Sequence, residues 1–214
     1  RGMSSTPRVF FLSALPQDAP LDDGALAASI VESDALDPLL SVLDLGASRG
    51  DGIFETFGVF GGKAHGIDDH LARLARSARM LDLPEPHDAQ WRAALERAVA
   101  ALAVTGQGSL KAVLTRGIEG EGVPTAWVVA RASGSDVAER REGIRVVTLD
   151  RGHPLDVATR APWLLAGAKT LSYAVNMAAL REASRRGADD ALFVSSDGFA
   201  LEGATSTLLL RFGD

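Results

Sequence analysis

The chain has 214 residues, 46% hydrophobic and 6% aromatic, which is enough apolar material for the core of one large domain or two small ones. Its net charge of -6, spread along the chain, argues against a nucleic-acid partner, and the absence of cysteine excludes disulfide frameworks and thiolate metal sites. The four histidines, His65, His70, His87 and His153, show no metal-ligand spacing, and no apolar run approaches the ~20 residues of a membrane helix, so neither a metal nor a membrane partner is expected.

Arg1 and Gly2 precede Met3 and read as a tag remnant. "RVFFLSALP" is about one strand long and is read as a first β-strand rather than a signal-peptide core, which leaves a cytoplasmic, reducing location as the default. "LDDGALAASIVESDALDPLLSVLDLGAS" is acidic and punctuated by Pro and Gly, and reads mostly as loop with short turns. "GIFETFGVF" reads as a strand and "GGKAHG" as its hairpin turn. Asp68 is placed to cap the helix "DHLARLARSARML", whose apolar residues recur at helical spacing. The prolines of "DLPEPH" separate it from a second amphipathic helix running from near Asp88 to Gly106.

Strands at "SLKAVLTRG" and "PTAWVVARA" complete a small α/β layer. "SGSDVAERREG" is small and charged, as suits an interdomain connection, which divides the chain into a small N-terminal α/β domain over 1–134 and a larger C-terminal domain, read as truncated, over 135–214. Next come a strand "IRVVTLD", an irregular piece with Pro154 and Pro162, a lysine-bearing run and a long helix to about Arg186. "DDALFVSSDGFALEGATSTLLLRF" reads as a strand, an Asp-Gly turn and two further strands.

From Ala161 to Leu180, Lys169 is the one cation or anion. A lone lysine in an apolar run more often snorkels at a helix start than acts as a nucleophile. The chain, however, holds only three lysines, Lys63, Lys111 and Lys169, against nineteen arginines, and lysine alone of the two can deprotonate near neutral pH and attack a carbonyl. Lys63 sits in a glycine turn, and Lys111 in a strand where alternation can turn it to solvent.

"SRGDGIFET", "KTLSYAVN" and "DGFALEGATST" follow one another in an order that resembles the class IV aminotransferase family of fold-type IV, pyridoxal-phosphate-dependent enzymes. That family includes branched-chain and D-amino-acid aminotransferases and 4-amino-4-deoxychorismate lyase. The resemblance covers essentially the whole chain. It implies a two-domain α/β (α+β) fold of the D-amino-acid aminotransferase type, a cofactor in the interdomain crevice and a homodimer.

By the same resemblance, Lys169 matches the Schiff-base lysine, Arg49 the phosphate-binding arginine and Glu202 the glutamate that faces the pyridine nitrogen. Lys169 would hold the cofactor and, once displaced by the substrate amine, serve as the base. Arg49 can present two donors to phosphate, and Glu202 can keep the ring nitrogen protonated. Thr205 and Ser206 match small hydroxyl residues near the cofactor, and Tyr173 a tyrosine near the ring oxygen; a helical reading brings Lys169 and Tyr173 onto one face. Asp69, His70 and Arg73 resemble the family's "H..RL" helix and are assigned to structure.

Plain readings stand beside these. Arg49 to Asp51 spell the cell-adhesion tripeptide, which a cysteine-free chain without an export signal disfavours, and Glu202 before Gly203 can be an ordinary turn carboxylate. Thr207 stands where many relatives have asparagine, and family members usually run well past "LLLRFGD", so a truncated chain is expected.

"LLAGAKTLSYAVN" and "FVSSDGFALEG" look most like the 4-amino-4-deoxychorismate lyase-like subgroup, which implies a small-molecule amine substrate that loses pyruvate to leave 4-aminobenzoate. The same three residues would serve a branched-chain or D-amino-acid aminotransferase. The motifs do not separate these two; a catalytically inactive family member, suggested by Thr207 and the short C-terminus, is the third alternative and is distinguished by cofactor occupancy.

Overall fold

Residues 6–102, 107–132 and 141–213 are described by the structure, a computed structural model, and they fall into two compact units. Unit 1 takes the chain to Ser135 together with Gly167–Ser172; unit 2 takes Asp136–Ala166 and Tyr173–Asp214. The hexapeptide that carries Lys169 therefore packs with the N-terminal unit.

Unit 1 is built on one antiparallel sheet of β1 (Arg8–Leu12), β2 (Ile30–Asp34), β3 (Gly52–Phe60), β4 (Lys63–Ala64), β5 (Gln107–Thr115) and β6 (Thr125–Ala132). Its strand order is β2-β1-β6-β5-β3-β4. Helices α1 (Asp23–Ala28) and α2 (Leu45–Arg49) are short; α3 (Ile67–Met80) packs on β3, and α4 (Asp88–Leu102) on β1 and β6. The apolar stripes found in the sequence are the buried ones: Leu71, Leu74 and Ala78 on α3, and Trp91, Ala94, Leu95 and Ala98 on α4. Phe10, Phe57, Leu110 and Val128 supply the sheet's share of this core.

Two local expectations fail here. The acidic stretch after β1 is not mostly loop: it contains α1, capped by the Asp22 carboxylate on the Ala25 N–H (2.7 Å), then β2 and α2. β2 is an edge strand that buries Ile30 and leaves Val31 and Glu32 in solvent, so its composition resembles a loop and only its ladder with β1 makes it a strand. Asp68 does not cap α3. The helix starts after Gly66, which has φ 66° and makes no side-chain cap, while Asp68 sits in the first turn and pairs with Arg92 at 2.6 Å. The end of the second helix near Gly106 and most of the "SGSDVAERREG" connection lie outside the described residues.

Unit 2 holds β7 (Val146–Asp150) parallel to β8 (Asp190–Val194), with β9 (Ala200–Gly203) antiparallel to β8. The parallel pair requires a crossover, and α5 (Val157–Arg160), a 3-10 turn (Pro162–Leu164) and α6 (Ala174–Arg185) lie between the two strands in the chain. α6 packs on β7 and β8, and Ala179, Ala183, Ala191, Phe193 and Ala204 form the core.

The expected strand after β9 is not formed. Leu209, Leu210 and Phe212 are exposed, and the stretch has no ladder partner among the described residues; an apolar run becomes a strand only where its N–H and C=O groups find a neighbouring strand. The helical reading of Lys169 to Tyr173 fails as well, because α6 begins at Ala174 and Thr170 is bridged to a strand. No helix among the described residues is long and apolar enough to cross a membrane.

Candidate active site

Lys169 is placed by an open strand edge. Over its first residues β3 pairs with β5 on one side, Gly52 opposite Thr115 and Phe54 opposite Val113, while β4 reaches only Val59 and Phe60 on the other. The unpaired edge is taken by the lysine segment: Phe54 N–H donates to the Lys169 carbonyl (3.0 Å), Leu171 N–H to the Gly52 carbonyl (2.8 Å), and Thr170 bridges Ile53. On the segment's other side, Lys169 N–H donates to Ser77 Oγ of α3 at 3.2 Å. The backbone is thus held by main-chain bonds, and the side chain lies over the Phe54 ring with Nζ 4.5 Å from its centroid.

A second lysine shares that ring. Lys111 of β5 places Nζ 4.4 Å from the Phe54 centroid. Although much of its surface meets solvent, desolvation by the surrounding atoms lowers its pKa most, followed by the charges of Lys169 and Arg131. Alternation along β5 turns Lys111 to the surface, as its sequence predicts, but its place beside Lys169 comes from the pairing of β5 with β3.

Arg49 ends α2, which is anchored from below. Asp44 is buried and accepts from Gly46 N–H (2.8 Å), Thr115 Oγ1 (3.1 Å) and Thr125 Oγ1 (2.7 Å), tying the helix start to β5 and β6. Gly50 follows in the left-handed region at φ 69°, and a Cβ there would lie 3.2 Å from the Ser172 backbone, so the turn after Arg49 abuts the end of the lysine segment. The guanidinium itself points outward: it is 68% exposed and 3.6 Å from Glu119. Asp51 is engaged internally by Arg116 (2.7 and 3.2 Å), whose Nη2 also donates to the Leu81 carbonyl. This pairing uses the carboxylate that an adhesion tripeptide would have to present.

The most constrained charges in unit 1 were not singled out as a group by sequence. Glu55 of β3 is fully buried and accepts from Arg73 Nε (2.6 Å) and Nη2 (2.6 Å), while His70 Nδ1 lies 2.8 Å from its Oε2. The His70 ring packs at 4.8 Å from Phe57. Arg73 stands one helical turn before Ser77, the residue that accepts the Lys169 N–H, so this cluster and the lysine segment meet the same stretch of α3. The available signal was a glutamate inside an apolar strand, with a histidine and an arginine three apart on the next helix. Asp69 is exposed in the first turn and stands outside the cluster.

Unit 2 carries the other candidates. Burial first, and then the Glu202 carboxylate, raise the Tyr173 phenol pKa, with Arg151 and a hydrogen bond with Asn176 opposing, so the structure brings Tyr173, Glu202 and Arg151 into one neighbourhood. Arg151 lies over Phe193 at 4.5 Å, and its buried Nη1 has no hydrogen-bond partner among the described residues. Asn176 Nδ2 donates to the Ala204 carbonyl (2.7 Å), joining α6 to the turn that follows Glu202. A Cβ at Gly203 would collide with Ser206 Oγ, which explains the glycine after Glu202. Ser206 Oγ donates to Asp190 Oδ2 at 3.2 Å, and Thr205 is exposed beside it.

Residues 52–214 match the family model described as amino-transferase class IV, and the chain belongs to that family. It is 49% identical over 176 residues to the bifunctional aminodeoxychorismate lyase / D-amino acid transaminase of Mycobacterium tuberculosis, covering 81% of this chain and 61% of that protein. A fold IV-transaminase from Curtobacterium pusillum is 50% identical with a TM-score of 0.86, over 94% of this chain and 67% of that one. A hypothetical aminotransferase from Mycobacterium tuberculosis in its PLP-bound form is 47% identical with a TM-score of 0.77, over 81% and 62%. The mixed α/β architecture is that of fold-type IV, and members of the family use pyridoxal phosphate.

Proposed function

We propose that this chain works as a pyridoxal-phosphate-dependent enzyme that releases pyruvate from 4-amino-4-deoxychorismate to leave 4-aminobenzoate, with D-amino-acid transamination as a second activity. The observation that carries the cofactor reading is Lys169, locked by its main chain at the open start of β3 with its amine over Phe54. The unit-2 cluster also fits the group, since the buried Arg151 Nη1 has no acceptor among the described residues and phosphorylated pyridoxal is rich in oxygen acceptors.

When bound, the cofactor supplies an electron-accepting ring for the charge left by proton removal. Lys169 Nζ would hold the cofactor and then move the substrate proton, and the Glu202 carboxylate would hold a proton on the ring nitrogen. Tyr173, Thr205 and Ser206 are proposed as further cofactor contacts. The Mycobacterium tuberculosis relative carries both lyase and transaminase in its name, which favours a dual activity over a branched-chain aminotransferase or an inactive member. With cofactor supplied, pyruvate and 4-aminobenzoate are expected from 4-amino-4-deoxychorismate, and amino transfer from a D-amino acid to a keto acid. Neither product from protein that has bound the cofactor would overturn the reading.

The phosphate cation has two candidates. Resemblance gives Arg49; geometry favours Arg73, because Glu55 fixes its side chain and its helix turn reaches the lysine segment, whereas Arg49 is largely in solvent. A charge-assisted contact contributes about 1.5–3 kcal/mol, so losing it should weaken cofactor affinity by roughly tenfold to a hundredfold. Titration of Arg49→Gln and Arg73→Lys with the cofactor, followed by absorbance, distinguishes them: the variant that weakens binding names the phosphate ligand. A homodimer is also proposed, supported by exposed Leu36, Val42 and Leu43 in one loop. Light scattering should give twice the chain mass, and Val42→Asp should shift it toward one.

A further inference from the structure

We infer that Lys111 is a positioning residue for Lys169: held on the same Phe54 ring, its ammonium opposes a second positive charge there and so favours the free amine of Lys169. The inference rests on the reading of Lys169 as the amine that attacks the cofactor carbonyl.

The two Nζ atoms lie 4.4 and 4.5 Å from one ring centroid, so they are at most about 9 Å apart wherever each sits on the ring. At that distance, with an effective dielectric constant of ~20, two unit charges repel enough to weaken one lysine's hold on its proton about tenfold. Neither lysine reaches the ring by a flexible excursion of backbone. Lys111 is in the middle of β5, opposite Thr56 on β3 and Val129 on β6, and Lys169 is bonded into the edge of β3.

Arg131 of β6 acts on Lys111 with the same sign, while Glu55, which follows Phe54 on β3, has its charge taken up by Arg73 of α3, the helix whose Ser77 hydroxyl meets the Lys169 N–H. The lowered pKa of Lys111, in which Lys169 is the leading charge, is the reciprocal of the same repulsion. A lysine beside a second cation is a known route to an amine that is nucleophilic near neutral pH. In a chain that otherwise uses arginine for nearly every cation, two lysines on one ring also leave either one able to lose its proton.

The test needs no cofactor. Reductive 13C-methylation of the cofactor-free protein labels Lys63, Lys111 and Lys169 beside the N-terminus, and NMR follows each through a pH titration, with Lys63 on β4 as the folding reference. The Lys169 midpoint should rise by about one pH unit in Lys111→Gln, a tenfold tighter hold on its proton, and return in Lys111→Arg, which keeps the charge. In the unsubstituted protein each of the two signals should show both ionisations.

An unchanged midpoint in Lys111→Gln overturns the inference, as does an equal rise in Lys111→Arg. If Lys111→Gln does not fold, two independent single-step curves in the unsubstituted protein overturn it. Borohydride trapping of added pyridoxal phosphate on Lys169 separates the two levels. Trapping without a Lys111 effect sinks only the role of Lys111; a Lys111 effect without trapping sinks the cofactor reading and leaves the coupling.

Discussion

Lys169→Ala is expected to lower turnover of either substrate class by on the order of 10^4-fold, the upper range for loss of a positioned acid-base group, and to abolish borohydride trapping of the cofactor. The loss should be chemical rather than structural. The contacts that hold this segment, Phe54 N–H on the Lys169 carbonyl, Leu171 N–H on the Gly52 carbonyl and Lys169 N–H on Ser77 Oγ, are made by the main chain and survive the substitution. The amine and its contact with Phe54 are removed, and a partly exposed cation over a ring contributes about 0.5–1 kcal/mol. Mass spectrometry of the reduced, digested protein together with thermal melting checks both halves. Covalent cofactor on a different residue of the variant, or turnover within tenfold of the unsubstituted protein, would show that Lys169 is not the reacting amine.

Arg73→Met should be the most damaging single change to stability in unit 1, costing about 3–5 kcal/mol, and should lower the melting temperature by roughly 10 °C. The reason is an asymmetry of burial. Arg73 and His70 keep some contact with water, but the Glu55 carboxylate has none, so removing Arg73 strands a buried anion with His70 as its remaining named partner. Removing Glu55 instead leaves cations that can turn outward, and Glu55→Gln should therefore cost less than Arg73→Met. Urea denaturation of the two variants decides the order. Equal or reversed costs would mean that the cluster is held mainly by the packing of His70 on Phe57 and of α3 on β3.

Much of the secondary structure was legible because the local signals were strong. β3 and the start of α4 agree with their apolar spacing, and the alternation that turns Lys111 outward in β5 holds. The failures share a cause. β2 resembles a loop because as an edge strand it buries one side chain, and the stretch after β9 resembles a strand because its composition suits one although no neighbour pairs with it among the described residues. In both, the deciding hydrogen bonds are made to residues distant in sequence.

The candidate site divides in the same way. Three ordered motifs were enough, by themselves, to pick out the family, and with the scarcity of lysine they name Lys169 and Glu202 as its candidate site residues, since residue type and order are properties of the chain. Tertiary structure alone decided that Lys169 is bonded to the edge of β3 and not in a helix, that Lys111 shares its ring and that Arg73 is fixed by a buried Glu55 while Arg49 faces solvent. Electrostatic coupling depends on distance and burial, and residues 58 positions apart in the chain, such as Lys111 and Lys169, acquire both only when the sheet brings them together.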